Sequence, residues 1–217
     1  MNPSVVAVCV VHEIRPDPEG HVGETAIDKR PLSGPTPVGR LGLQGDTQRD
    51  TDRHGGPDQA LYAYAEDEAR RWGTELGHPV RPGLFGENLT LRGMAVTDAV
   101  VGERWLIGPE VQAEVTSPRF PCATFGRFLD QPRWVRRFTE RADVGAYLRV
   151  LRPGSVTAGD PVHRLHVPGH GVTVREVFTA LSNGPADPDR LAQLLGEDTL
   201  ADKLRGKLEK LMARNRV

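Results

Sequence analysis

A chain of 217 residues with 38% hydrophobic and 26% charged residues has room for one sizeable core, or for a core domain with a small appendage. Its formal net charge of −1 gives no global attraction to nucleic acid or to an anionic membrane, so an anionic ligand must be met by local charge. Two cysteines, Cys9 and Cys122, make no disulfide framework and are expected as free thiols in a reducing compartment.

The apolar run VVAVCVV at 5–11 is β-branched throughout and reads as a buried strand, with Cys9 as a small core hydrophobe. It is too short for a bilayer and lacks the basic leader and cleavage site of a signal peptide, so a cytoplasmic protein is expected. Residues 24–58 carry little periodicity and many Gly, Pro and Asp; a loop of that length points to a binding surface interrupted by short strands. Between 64 and 77 the spacing of Ala65, Ala69, Trp72 and Leu76 predicts a helix, with three acids in its first turn and Gly77 as its stop. GLFGENLTLRG reads as a glycine turn entering a strand, and RWLIG with VQAEVTS as a strand pair whose Val111, Ala113 and Val115 form the one buried face. A helix after Pro132 is expected to bury Trp134, Val135 and Phe138 and to expose Arg133, Arg136, Arg137 and Arg141. Two further strands flank the turn at Pro153 and Gly154. Beyond Pro168, Thr173 with Glu176 makes a capping-box signature, Asp187 with Pro188 opens a second helix, and Leu200, Leu204, Leu208 and Leu211 mark a third.

Cys122 is the sharpest chemical candidate. In SPRFPC, Pro118 and Pro121 stiffen the backbone and end a strand, while Arg119 supplies a fixed cation that favours the thiolate; a packed core thiol is the competing reading. In RHGGPDQAL, Gly55 and Gly56 allow positive φ, so His54 and the free amides could face a ligand, although Gly-Gly-Pro is a generic breaker and a plain tight turn is the favoured reading of these residues alone. Glu87 and Asn88 in GLFGENL could hydrogen-bond a heterocycle or mark a turn. Lys29, Arg30 and Ser33 in AIDKRPLSGP suit a phosphate or a solvated loop. His163, His166 and His170 do not have the spacing of a zinc site.

The motifs AIDKRPLSGP, LGLQGDTQRDTDRHGGPDQAL, GLFGENL, SPRFPC and VGAYLRVLRPGSV, in this order, resemble the MOSC family, named for the C-terminal part of molybdenum cofactor sulfurases, and within it the small bacterial YiiM-type members. The likeness covers residues 26–165, and residues 172–213 resemble the three-helix extension of those members. It implies a mainly β (α+β) fold: a MOSC-type β-barrel core with flanking helices at 1–167, then a small three-helix unit at 168–217. It also implies a molybdenum cofactor (molybdopterin) site with Cys122 as molybdenum ligand or sulfur carrier. Lys29, Ser33 and Arg119 would then meet the cofactor phosphate, Gly55, Gly56, Glu87 and Asn88 the pterin, and His54 would act as donor or proton relay.

The functions that follow are a molybdenum-dependent reductase of small N-hydroxylated compounds such as hydroxylaminopurine bases, a persulfide carrier, or a non-catalytic cofactor-binding module. The first needs an electron-donor reductase, since no dinucleotide fingerprint, flavin motif or iron–sulfur cysteine set is present; the second needs a sulfur-donor desulfurase. Some family members are fused to a pyridoxal-phosphate enzyme, but no pyridoxal phosphate site is evident in this chain. A cysteine hydrolase built on Cys122 and His54 lacks an assignable third residue. Neither nucleic acid nor a membrane is expected as a partner, and the helical tail could meet another protein or a second copy of the chain.

Overall fold

The computed structural model describes residues 2–52, 54–182 and 184–214; Arg53, inside the second motif quoted above, lies outside the described residues. The apolar run forms β1, Ser4–Val11, in which Cys9 is fully buried. Short strands follow, as the irregular sequence implies: β2 Arg15–Pro16, β3 Glu24–Thr25, β4 Lys29–Pro31, β5 Thr36–Gly39 and β6 Gly42–Leu43. Next come β7 Leu61–Ala65, α1 Glu66–Leu76, β8 Leu89–Arg92, β9 Arg104–Ile107 and β10 Val111–Pro118. Two helices, α2 Ala123–Leu129 and α3 Trp134–Arg141, precede β11 Ala146–Arg152, β12 Gly154–Val156 and β13 Val162–His166. The chain ends with α4 Val174–Leu181, α5 Pro188–Leu195 and α6 Asp202–Arg214. Among the described residues no helix is long and apolar enough to cross a membrane.

Eight strands make one sheet in the order β13-β9-β10-β11-β7-β8-β1-β4, antiparallel except for β7 and β8. That parallel pair needs a crossover, which α1 supplies. The expected barrel is met only in part. The start of β1 reaches the turn before β13 through the isolated bridge Ser4↔Pro161, with Val5 N donating to Asp160 O at 2.9 Å and Val162 N to Pro3 O at 2.9 Å. No continuous ladder closes among the described residues, and Pro3 and Pro161, which lack amide donors, sit where it would have to run. The architecture is therefore mixed α+β around a large, mostly antiparallel sheet.

The aromatic core lies between sheet, α1, α2 and α3. Trp72 stacks on Phe138 at 5.7 Å and meets Trp134 at 4.6 Å, while Phe85 meets Phe125 at 5.5 Å. Val135, expected in this core, is 39% exposed, because only Trp134 and Phe138, four apart, share the inward face. The arginine side of α3 is not simply solvated: Arg137 and Arg141 pair with Glu75 of α1, and the Arg141 guanidinium lies 4.4 Å from the Trp72 ring centroid. Strand β10 also departs from simple alternation, since Glu114 and Thr116 are buried as well as Val111, Ala113 and Val115. Glu114 is held by Arg104 at 2.8 Å and Arg149 at 3.2 Å, and Arg149 also donates to Thr199 O in the helical tail, which covers this second face.

The capping box forms as its sequence dictates, with Glu176 N donating to Thr173 Oγ1 at 3.2 Å and Thr173 N to Glu176 Oε2 at 2.8 Å. Thr173→Ala is expected to lower the unfolding free energy by about 1 kcal/mol in urea titrations, with Thr173→Ser recovering most of the loss.

Candidate functional site

Strand β10 ends at Pro118, still paired with Ala146, and the next residues turn inward. Arg119 is 6% exposed; its guanidinium lies 3.9 Å from the Phe125 ring centroid and 5.5 Å from that of Tyr62. It also meets the Tyr147 hydroxyl; burial, the larger influence, pushes that phenol's pKa up while the Arg119 charge pulls it down. Arg119 Nη1 has no hydrogen-bond partner, and no carboxylate pairs with this cation among the described residues. An unpaired buried charge is costly in a low-dielectric interior, so a ligand anion is the natural missing partner.

Three residues on, Cys122 occupies the N-cap position of α2 in extended geometry, as a half-buried free thiol. The helix is fixed from outside by Asp17, whose carboxylate accepts from Arg127 Nε at 2.6 Å, Arg127 Nη2 at 2.8 Å and Thr124 Oγ1 at 2.7 Å. That clamp holds the Asp17 carboxyl below its usual pKa, chiefly through the Arg127 hydrogen bond. The Arg127 guanidinium is in turn held charged first by Asp17, with Glu19 and Cys122 adding to the effect.

Arg119 and Cys122 line one cavity together with Lys29, His54, Gly55 and Asn88, all expected from sequence, and with Asp17, Gln59, Tyr62, Phe85, Thr124 and Tyr147, which sequence reasoning did not single out. Its space is about 840 Å³, a figure that includes open solvent at the mouth. Gly55 and Gly56 both take positive φ, at 79° and 81°, and a Cβ on Gly55 would stand 2.9 Å from Gln48 Oε1.

Each of several expected site residues already has partners inside the protein or lies outside the cavity. Lys29 Nζ donates to Asp46 Oδ2 at 2.6 Å with both side chains buried, so its charge is answered inside the protein. Asn88 lines the cavity, yet its amide is spent on holding strands: Nδ2 donates to Asp46 Oδ2 and Cys9 O, and Oδ1 accepts from Tyr62 N. Glu87 faces away, accepting from Gly83 N at 2.7 Å, Phe85 N at 3.1 Å and Thr90 Oγ1 at 3.0 Å, and thereby fixes the glycine turn. Burial raises its pKa and these donors oppose that rise. Ser33 is exposed and outside the cavity lining, and so is Gly56, which caps the 3-10 turn at Pro57–Gln59.

The histidines set aside for zinc stay apart from this site. His163 and His166 are exposed on β13, and His170 Nδ1 accepts from Val172 N. His21 and Asp50, which line the cavity, and Asp52 bring one imidazole and two carboxylate ligand atoms within 4.8 Å of one another.

The model of the MOSC domain matches residues 50–163. Protein YiiM of Escherichia coli (strain K12) is 31% identical over 187 residues, covering 84% of this chain and 81% of that protein. A protein named "Reductase" from Gibberella moniliformis (strain M3125 / FGSC 7600) is 30% identical over 149 residues, covering 66% of this chain but 26% of the fungal protein. Among solved structures, that of YiiM from Geobacillus stearothermophilus superposes with a TM-score of 0.79 at 23% identity, covering 97% of this chain and 99% of the other, and it establishes a shared fold. With a family match over more than half its length and a relative aligned across most of both chains, the protein belongs to the MOSC domain family.

Proposed function

We propose that the protein is a molybdenum-cofactor-dependent oxidoreductase that reduces small N-hydroxylated compounds, hydroxylaminopurine-type bases among them, with Cys122 as the thiol ligand. The observation that carries this reading is the meeting, in one cavity, of a half-exposed free thiol and a buried guanidinium with no counter-charge among the described residues. The donor set fits the cofactor: a thiolate suits a thiophilic metal, and an unpaired arginine suits an anionic dithiolene or phosphate. When bound, the group would supply two-electron chemistry at the metal. Around it, Arg119 would hold the anionic portion, Tyr62 and Tyr147 would flank it, and His54 would move protons at the open side. Lys29 would act at a distance through Asp46.

The family, and the relative named a reductase, support the oxidoreductase class, although this chain spans only about a quarter of that relative. A separate electron-donor reductase is part of the proposal. The accessible Cys122 thiol also suits a second reading, a persulfide carrier served by a desulfurase.

The test is molybdenum and molybdopterin per chain in protein purified from cofactor-replete cells. Cys122→Ser is expected to lose most of the metal while keeping its melting temperature within a degree or two. Equal metal in both forms removes the ligand assignment, and a persulfide on Cys122 after desulfurase treatment, with no metal in either form, favours the carrier.

A further inference from the structure

Gln59 ends the short 3-10 turn at Pro57–Gln59 and lines the cavity, yet its Oε1 is buried with no hydrogen-bond partner among the described residues. Buried amide oxygens are nearly always satisfied, so one left open on a cavity wall asks for an explanation. Looseness of the backbone does not supply it. Asp58, the residue before it, is tied at both ends: its carbonyl accepts from Thr116 Oγ1 at 2.6 Å and its carboxylate from Arg149 Nε at 2.7 Å. Gly56 caps the turn, Pro57 opens it, and Gln59 N closes it on Gly56 O at 3.1 Å. The turn is pinned to β10 and β11 while the side chain at its end has no internal use for its acceptor. Because no bond is broken by turning the amide about its last torsion, Gln59 can offer either its carbonyl or its amino group to a ligand. The same cavity has aromatic walls, Tyr62, Tyr147 and Phe85, with the Tyr62 and Tyr147 centroids 5.4 Å apart. An adaptable amide beside aromatic faces is the pairing that reads the amino-substituted edge of a flat nitrogen heterocycle, as glutamine reads adenine.

We propose that Gln59 is a specificity-determining residue that recognises the exocyclic N–H and adjacent ring nitrogen of a purine-type substrate. This rests on the reading of the cavity as a site for N-hydroxylated bases and names the residue that selects them. The pterin of the cofactor presents a similar edge. Gln59 is assigned to the substrate and Arg119 to the charged part of the cofactor, and molybdopterin content in a Gln59 variant separates the two edges.

The experiment measures calorimetric affinity for adenine, a non-reacting probe, and for purine, which lacks the amino group, in wild type and Gln59→Leu, with molybdopterin content determined on the same samples. Wild type is expected to bind adenine about tenfold or more tightly than purine. Gln59→Leu is expected to bring the two within about twofold while keeping wild-type molybdopterin. Three results overturn the proposal: no preference in wild type, a preference that survives the substitution, or molybdopterin lost together with the glutamine, which would assign the amide to the cofactor. If melting curves reveal that Gln59→Leu does not fold, Gln59→Met takes its place. Wild-type protein found without any cofactor would count against the proposed reductase and would leave the adenine and purine titrations readable.

Discussion

Arg119→Met is expected to raise the melting temperature of the ligand-free protein while removing most of its affinity for the cofactor. The guanidinium is buried without a carboxylate, and its Nη1 lacks any partner among the described residues. Exchanging a buried charge for an apolar side chain of similar length commonly stabilises by about 1–4 kcal/mol. The cation–π contact with Phe125, at 3.9 Å, offsets part of that, about 1–2 kcal/mol. A net gain of about 1 kcal/mol corresponds to roughly 2–4 °C for a domain of this size. Ligand binding moves the other way, because truncating one partner of a buried charge pair costs about 2–5 kcal/mol, roughly 30-fold to several-thousand-fold in affinity. Calorimetric melting of ligand-free protein and the molybdopterin content of replete protein read the two effects separately. A variant that melts lower and keeps its cofactor would make Arg119 a structural residue and remove the main support for an anion in this cavity.

The contrast between Arg119 and Lys29 explains what sequence could and could not disclose. Both are cations that the family resemblance assigns to the cofactor phosphate, and both line the cavity. Only coordinates reveal that Asp46, 17 residues from Lys29, has already neutralised it, whereas Arg119 has been left open. Local signals transfer well to structure: the β-branched run of β1, the left-handed cap at Gly77, the capping box at Thr173 and the Asp187–Pro188 helix start each depend on neighbours within a turn or two. The helix α2 escaped because seven residues with one buried side chain, Phe125, give no period to read. The Asp17–Arg127 clamp spans 110 residues and has no sequence signature at all. Gln59 stood inside a motif already singled out, but its glycines drew the chemical reading, and an unsatisfied acceptor is a property of packing that composition does not carry. The burial of Glu114 and Thr116 had the same origin, since a strand looks one-sided until the helical tail is laid over its second face.

Glu68→Gln is expected to make the protein more stable at neutral and alkaline pH and to leave acid stability nearly unchanged. Glu68 lies in the first turn of α1, where a carboxylate is normally welcome, but here it is 2% exposed. Oε1 accepts from Thr97 N at 3.2 Å, and Oε2 has no partner among the described residues. Burial, first, drives its pKa up to about 7; Asp143 adds to the rise, while the Thr97 bonds and the Arg175 charge oppose it. The folded protein therefore holds a proton between about pH 4.5 and 7 that the unfolded chain has released. Stability falls with pH wherever the folded state binds more protons, so the loss begins near pH 4.5 and is complete above about pH 7. A shift of this size corresponds to roughly 3 kcal/mol. Glutamine keeps the acceptor for Thr97 and carries no titrating proton, so the difference in unfolding free energy between variant and wild type should be near zero at pH 4 and grow through neutrality. Asp17, Asp28, Glu66 and Glu176, whose pKa values are lowered, bend both curves alike in the acid range and cancel in that difference. Parallel stability curves from pH 4 to 8 would mean that Glu68 is ionised in the fold, with the Arg175 charge compensating its burial.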